Sequence, residues 1–291
     1  MFIKKPARKT VPIRITIAII ILAIIGFASF EGYTYINTQF TIQNDKQAEI
    51  TRQISIKTAE SAKLAKKREV VLITLPGAQP IKAIVEDYLS PSSIWAIVSK
   101  THSISTDYIP SPIKIPNVAT RTDKSTDERS VRSDIETPLI NMFAAASTAG
   151  YQLMIGSGYR SAALQAMYFN NLAISVGDET ANQAIARPGQ SEHQTGLAID
   201  ISTVSRQCYL DNCFADTGDG QWLVNNAYKY GFNLRYPKGK ETITGYQYEP
   251  WHFRYVGIDL ATALYESNLT LDETWIYLEK ADAILRDNGA I

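Results

Sequence analysis

Two short segments, SEHQTGLAIDI from Ser191 to Ile201 and EPWHFRYVG from Glu249 to Gly257, carry two of the chain's three histidines and constrain the fold more than anything else in it. Each sets a histidine among carboxylates, glycine or proline, a setting suited to a metal site and unsuited to a long helix. If His193, Asp200 and His252 hold one ion, two segments far apart in sequence must lie side by side. Gly196 breaks the chain, and an extended Leu197 to Ile201 puts Ala198 and Asp200 on one face, so that Asp200 meets His193 across the turn. Glu249 and His252 would fall on opposite faces of a regular strand. Pro250 cannot donate to a sheet ladder, so a bulge or strand end there can turn both inward.

Hydrolytic zinc takes three ligands from His and Asp or Glu and leaves a fourth position open. His193, Asp200 and His252 meet that count, in an H-x6-D arrangement rather than a helical H-E-x-x-H one. Glu249 is the candidate general base for a water whose pKa zinc lowers. Glu192 competes for that role, but it adjoins His193, and adjacent extended residues point apart. Arg160, in SGYRS, begins a helix after a strand, where its planar fork suits a carboxylate or carbonyl oxygen. A surface ion pair is the equal alternative for it.

The start of the chain sets an address. Lys4, Lys5, Arg8, Lys9 and Arg14 precede an apolar run from Ile15 to Phe30, and no acidic residue occurs before Glu31. The run of 16 residues is slightly short of the about 17 to 25 of a membrane span, and it reads as an anchor or as a signal peptide with Gly26 and Ala28 near its end. Both readings export the remainder. Residues 1–10 are then a cytoplasmic basic tail, 11–36 the anchor, 37–90 a partly helical stalk and 91–291 the catalytic domain. With 29 basic and 29 acidic residues the chain has no net field to recommend a nucleic-acid partner. In an oxidising compartment the two cysteines, Cys208 and Cys213, pair as a local disulfide. Zinc ligation by them would need a second pair.

Periodicity predicts an α+β domain: a small antiparallel sheet with flanking helices. Strands are expected at Ile94 to Ser99, Leu153 to Ser157, Leu197 to Ile201 and within Tyr246 to Val256. Helices are expected at Ile81 to Leu89, Ile135 to Ala149, Ser161 to Val176, Trp222 to Tyr230 and Leu271 to Leu285. Val70 to Leu75 is a short β-like run. His102 reads as a loop residue, Trp251 as packing behind the site, and Tyr246, Tyr248 and Tyr255 as strand residues, one of which could edge the pocket. Asp211, Asp216 and Asp219 cluster near the cysteines without the spacing of an EF-hand loop.

The segments SGYRS, SEHQTGLAIDI and EPWHFRYVG together resemble the VanY-type D-alanyl-D-alanine carboxypeptidases and their L,D-carboxypeptidase relatives, zinc peptidases of bacterial peptidoglycan. The resemblance takes in residues 91 to 285. It implies Zn2+ on His193, Asp200 and His252, Glu249 as catalytic base, Arg160 at the substrate carbonyl and Ser191 near the terminal carboxylate, with Tyr159 and Gln165 shaping the pocket. The implied substrate is a peptidoglycan stem peptide losing a terminal D-amino acid, most simply D-alanine. An L,D-carboxypeptidase, an endopeptidase and a non-catalytic wall-binding module are the alternatives, and a scaffold whose stalk matters most is a further one. Nothing in the sequence sets the oligomeric state.

Overall fold

A computed structural model of the chain describes residues 13–67 and 70–291. The expected basic tail, 1–10, lies outside the described residues. Two compact units divide at Lys66 and Lys67. The described part of the first is the helix α1, Ile13–Lys67, whose last residue falls on the boundary. It includes a stretch long and apolar enough to cross a membrane, and its described side chains are exposed throughout.

The second unit is α+β. Its elements in chain order are β1 (Leu72–Ile73), β2 (Ile81–Lys82), β3 (Ile113–Lys114), β4 (Val131–Arg132), α2 (Glu136–Thr148), β5 (Leu153–Ser157), α3 (Ala162–Val176), α4 (Asp178–Ala184), β6 (Ala198–Thr203), α5 (Gly218–Asn226), β7 (Phe232–Leu234), α6 (Glu241–Thr244), β8 (His252–Tyr255), α7 (Ile258–Ser267) and α8 (Trp275–Asp287). Four strands form one antiparallel sheet in the order β5-β6-β8-β7. The alternation of a strand divides the work of its faces. Ile199, Ile201 and Phe253 join Leu139, Met142, Ala146 and Leu223 of α2 and α5 in one buried core. Their neighbours Asp200, His252 and Arg254 therefore project from the opposite face. That face carries the candidate site.

A second core joins the segment before the sheet to the end of the chain: Val71, Ile73, Leu75, Ile81, Tyr88 and Trp95 are buried with Leu260, Leu264, Leu278 and Leu285 of α7 and α8. Here two sequence expectations fail. Ile81 to Leu89 forms the short strand β2 and turns instead of a helix; Ile81 pairs with Ile73, so the apolar spacing serves a hairpin. Ile94 to Ser99 is buried but is not a strand. The carbonyls of Ile94 and Ala96 accept from the Arg254 guanidinium, and the Trp95 indole donates to Val256 O at 2.8 Å, so side chains satisfy what a ladder would have satisfied.

Candidate active site

His193 sits on a buried 3-10 turn, Glu192–Thr195, between extended Ser191 and Gly196. Gly196 is left-handed, with φ 69°, a conformation costly for a residue with a Cβ. It lets the chain turn two residues ahead of β6, and the imidazole is oriented from outside the turn: His193 Nδ1 lies 2.6 Å from Gly158 O. That contact leaves Nε2 facing Asp200 Oδ2 at 3.3 Å.

Sheet register places the other two groups. Asp200 on β6 is directly opposite His252 on β8, and Asp200 Oδ1 is 3.2 Å from His252 Nδ1. Pro250 and Trp251 form a turn at the entry to β8, with His252 N bonded to Glu249 O at 3.1 Å. This strand end swings the Glu249 carboxylate to 3.4 Å from His252 Nδ1, as the proline suggested. The expected strand over Tyr246 to Val256 is confined to His252–Tyr255 for the same reason.

The donor set fits a zinc ion. One ligand atom from each of His193, Asp200 and His252 lies within 4.8 Å of the others, all three residues buried. A tetrahedral ion with bonds of about 2.0–2.1 Å sets its ligands about 3.3 Å apart, and each imidazole lies at that spacing from one Asp200 oxygen: His193 Nε2 at 3.3 Å from Oδ2 and His252 Nδ1 at 3.2 Å from Oδ1. His193 Nε2 and Asp200 Oδ1 are buried without a hydrogen-bond partner. Unpartnered buried polar atoms are costly, and a shared cation relieves both.

Arg160 precedes Ser161, the N-cap of α3, whose Oγ accepts from Leu164 N at 3.2 Å. Its guanidinium is largely buried, 3.5 Å from Asp200 Oδ2, and donates to Gln165 Oε1 at 3.1 Å. Gln165 in turn donates to Ala186 O at 2.7 Å. A surface ion pair is thereby ruled out for Arg160. A cavity of about 390 Å³ is lined by Arg160, Gln165, Ser191, His193, Asp200, Glu249 and His252. Tyr159 stands apart: it is buried and does not line this cavity.

Burial raises Glu249 to about 7, with Asp200 adding to the rise and His252 and Arg160 opposing it. Burial lowers His193 to about 4, assisted by Arg160 and opposed by Asp200. Glu192 behaves otherwise. Burial alone would raise it, but the charges of Arg235 and Arg254 hold its carboxyl well below the usual range.

Several lining residues were not legible in the sequence. Trp251, expected behind the site, lines the cavity, and Tyr246 is the tyrosine of its group that does so. Tyr236, Tyr168 and Lys124 line it from other elements. The Cys208–Cys213 disulfide is formed, and two residues inside its loop, Tyr209 and Leu210, make part of the wall. His102 packs against Trp275 in a tilted pair and does not line the cavity, and Asp211 caps the turn at Cys213 N.

Comparison with known proteins agrees with this geometry. The profile of the VanY D-alanyl-D-alanine carboxypeptidase family matches residues 128–258. A putative carboxypeptidase YodJ of Bacillus subtilis (strain 168) is 41% identical over 236 residues, covering 80% of this chain and 85% of that protein. The solved structure of the LdcB LD-carboxypeptidase is similar at TM-score 0.61 and 45% identity, covering 65% of this chain and 87% of that one. A mutant of the vancomycin-resistance D,D-pentapeptidase VanY in complex with Zn(II) is similar at TM-score 0.50 and 30% identity, covering 63% of this chain and 98% of that one. With sequence and fold similar over most of the length of these relatives, the chain belongs to the VanY-type family of D-alanyl-D-alanine and LD-carboxypeptidases.

Proposed function

We propose that this chain is a membrane-tethered zinc peptidase that removes the terminal D-alanine from peptidoglycan stem peptides on the outer side of the membrane. The observation that carries the reading is the meeting of His193, Asp200 and His252 with Glu249 and Arg160 in one cavity. Residues 11–36 would be the anchor, the rest of α1 the stalk, and the unit beginning at Lys67 the peptidase. The basic residues before Ile15 favour the cytoplasmic side for the tail.

Bound by His193, Asp200 and His252, zinc would supply a Lewis acid and lower the pKa of water from 15.7 to about 7. The chain's own residues supply the rest. Glu249 takes a proton from the attacking water and returns it to the departing amine. Arg160, fixed by Gln165, donates to the carbonyl oxygen as that oxygen gains charge. Ser191, buried at the cavity wall, faces the peptide's terminal carboxylate in this reading.

A second reading has the L,D bond of a tetrapeptide stem as the substrate, favoured by the higher identity to the LdcB enzyme than to the D,D-pentapeptidase. One experiment separates the two. The full chain in detergent is incubated with pentapeptide and tetrapeptide stems, products are read by mass, and Glu249→Gln serves as control. Loss of one D-alanine from the pentapeptide, absent in a zinc-loaded Glu249→Gln, is expected. Release from the tetrapeptide alone transfers the assignment to the L,D bond, and release from neither refutes both.

A further inference from the structure

Glu192, the carboxylate beside His193, is used by no step above, although its side chain is fully buried. Its Oε1 accepts from Arg235 Nε at 2.8 Å and from Arg254 Nη1 at 2.9 Å. Both arginines are themselves tied down. Arg235 Nη2 donates to Asp272 Oδ1 at 3.2 Å, and Arg254 Nη2 donates to Ala96 O at 2.9 Å. Two guanidinium groups thus face two carboxylates, and the charge behind the site is balanced. Glu192 can therefore stand beside a histidine without adding an uncompensated charge to the interior.

Its second oxygen is the informative atom. Glu192 Oε2 has no hydrogen-bond partner, and neither has His252 Nε2; both are buried, and they lie 3.7 Å apart. The other ring nitrogen, His252 Nδ1, faces Asp200 Oδ1 at 3.2 Å and Glu249 Oε2 at 3.4 Å. An imidazole that gives one nitrogen to a metal must keep its proton on the other, and that N–H needs an acceptor. An approach of about 0.8 Å would bring Nε2 and Oε2 within ordinary N–H···O distance.

Resting on the zinc reading above, we propose that Glu192 is a positioning residue: it accepts the Nε2–H of His252 and thereby fixes the tautomer that turns Nδ1 toward the metal. The arginine pair holds Oε1 of the carboxylate and leaves Oε2 on the side of His252. The same pair links three segments that bear the site, because Glu192 adjoins His193, Arg235 N bonds His252 O at 3.1 Å, and Arg254 lies on β8 with His252.

The test uses the zinc-loaded full chain in detergent with 15N-labelled histidine, in which only three imidazoles need assignment. The expected spectrum shows His252 protonated at Nε2, with that proton protected from exchange. A proton on Nδ1, with Nε2 toward the metal, overturns the proposal. In parallel, Glu192→Gln is expected to lower zinc affinity by about 10- to 100-fold in competition with a chromophoric chelator. An unchanged affinity in a folded Glu192→Gln also overturns the proposal. If that variant fails to fold, the wild-type tautomer decides. A wild-type chain that binds no zinc refutes the active-site reading itself; one that binds zinc with the wrong His252 tautomer refutes only the role of Glu192.

Discussion

Replacing Gly158 by alanine tests how the site is held, because this glycine serves both the fold and His193. A Cβ built at Gly158 would lie 2.2 Å from Ser130 O and 3.2 Å from Glu128 O. Ordinary contact between heavy atoms begins at about 3.5 Å, so the two backbones must part by roughly 1 Å. They are pinned where they would have to part: Gly158 N donates to Glu128 O at 2.5 Å, and Tyr159 N to Ser130 O at 2.7 Å. Losing two such bonds costs about 1–3 kcal/mol, and the overpacking itself costs about 1–3 kcal/mol. The sum, about 2–6 kcal/mol, corresponds to a fall of roughly 4–24 °C in Tm for a unit of this size. Displacing Gly158 also removes the carbonyl that orients His193 at 2.6 Å, so zinc affinity should fall about 10- to 100-fold. Gly156→Ala is the comparison. Its Cβ meets the Tyr209 ring at 3.0 Å and Asp200 O at 3.3 Å, and a ring can give way, so a smaller change is expected. Thermal melting and chelator competition measure both effects. A Gly158→Ala protein that melts with the wild type and binds zinc equally well would refute the reasoning.

Arg160→Ala should lower kcat/KM by about 10²- to 10³-fold, mainly in kcat, with zinc still bound; steady-state kinetics on a metal-loaded variant check this, and a loss confined to KM argues for ground-state binding instead. Opening the Cys208–Cys213 loop by a double serine substitution frees the wall containing Tyr209 and Leu210. Reordering it on binding costs about 1 kcal/mol, a roughly fivefold rise in KM, and unchanged KM would show that this wall does not meet substrate. Glu128 offers a pH test away from the metal. Burial raises its carboxyl, but hydrogen bonds from Lys124, Tyr168 and Ser125 bring it down to about 2. A depressed folded-state value stabilises above the unfolded value near 4.5 and is lost as pH falls through about 2. Acid unfolding of Glu128→Gln should therefore lack part of the wild-type slope between those limits, and superimposable slopes would count against the assignment.

What the sequence exposed was local and periodic. Leu153–Ser157 and α2 fall where the apolar pattern and Gly150 put them, because short strands and one-sided helices are written in neighbouring residues. The α3 boundary follows from a serine cap, which is equally local. Ile94 to Ser99 misled because burial without a ladder produces the same apolar run as a strand. Its backbone partner is the Arg254 guanidinium, more than a hundred residues away by a count of about 160 between the bonded atoms.

The same division applies to the site. Residue type and spacing alone nominated His193, Asp200, His252 and Glu249, since few side chains can perform metal and proton chemistry and these occur in glycine- and proline-marked turns, but left Arg160 evenly divided between the site and a surface ion pair. The sequence also determined that Pro250 interrupts the strand, because a missing N–H is a property of the residue itself. Only the tertiary structure decided that Asp200 stands opposite His252, that a carbonyl of Gly158 orients His193, and that Glu192 is held by two arginines. Those choices depend on sheet register and on charge balance in the interior, and both arise from contacts between residues distant in the chain.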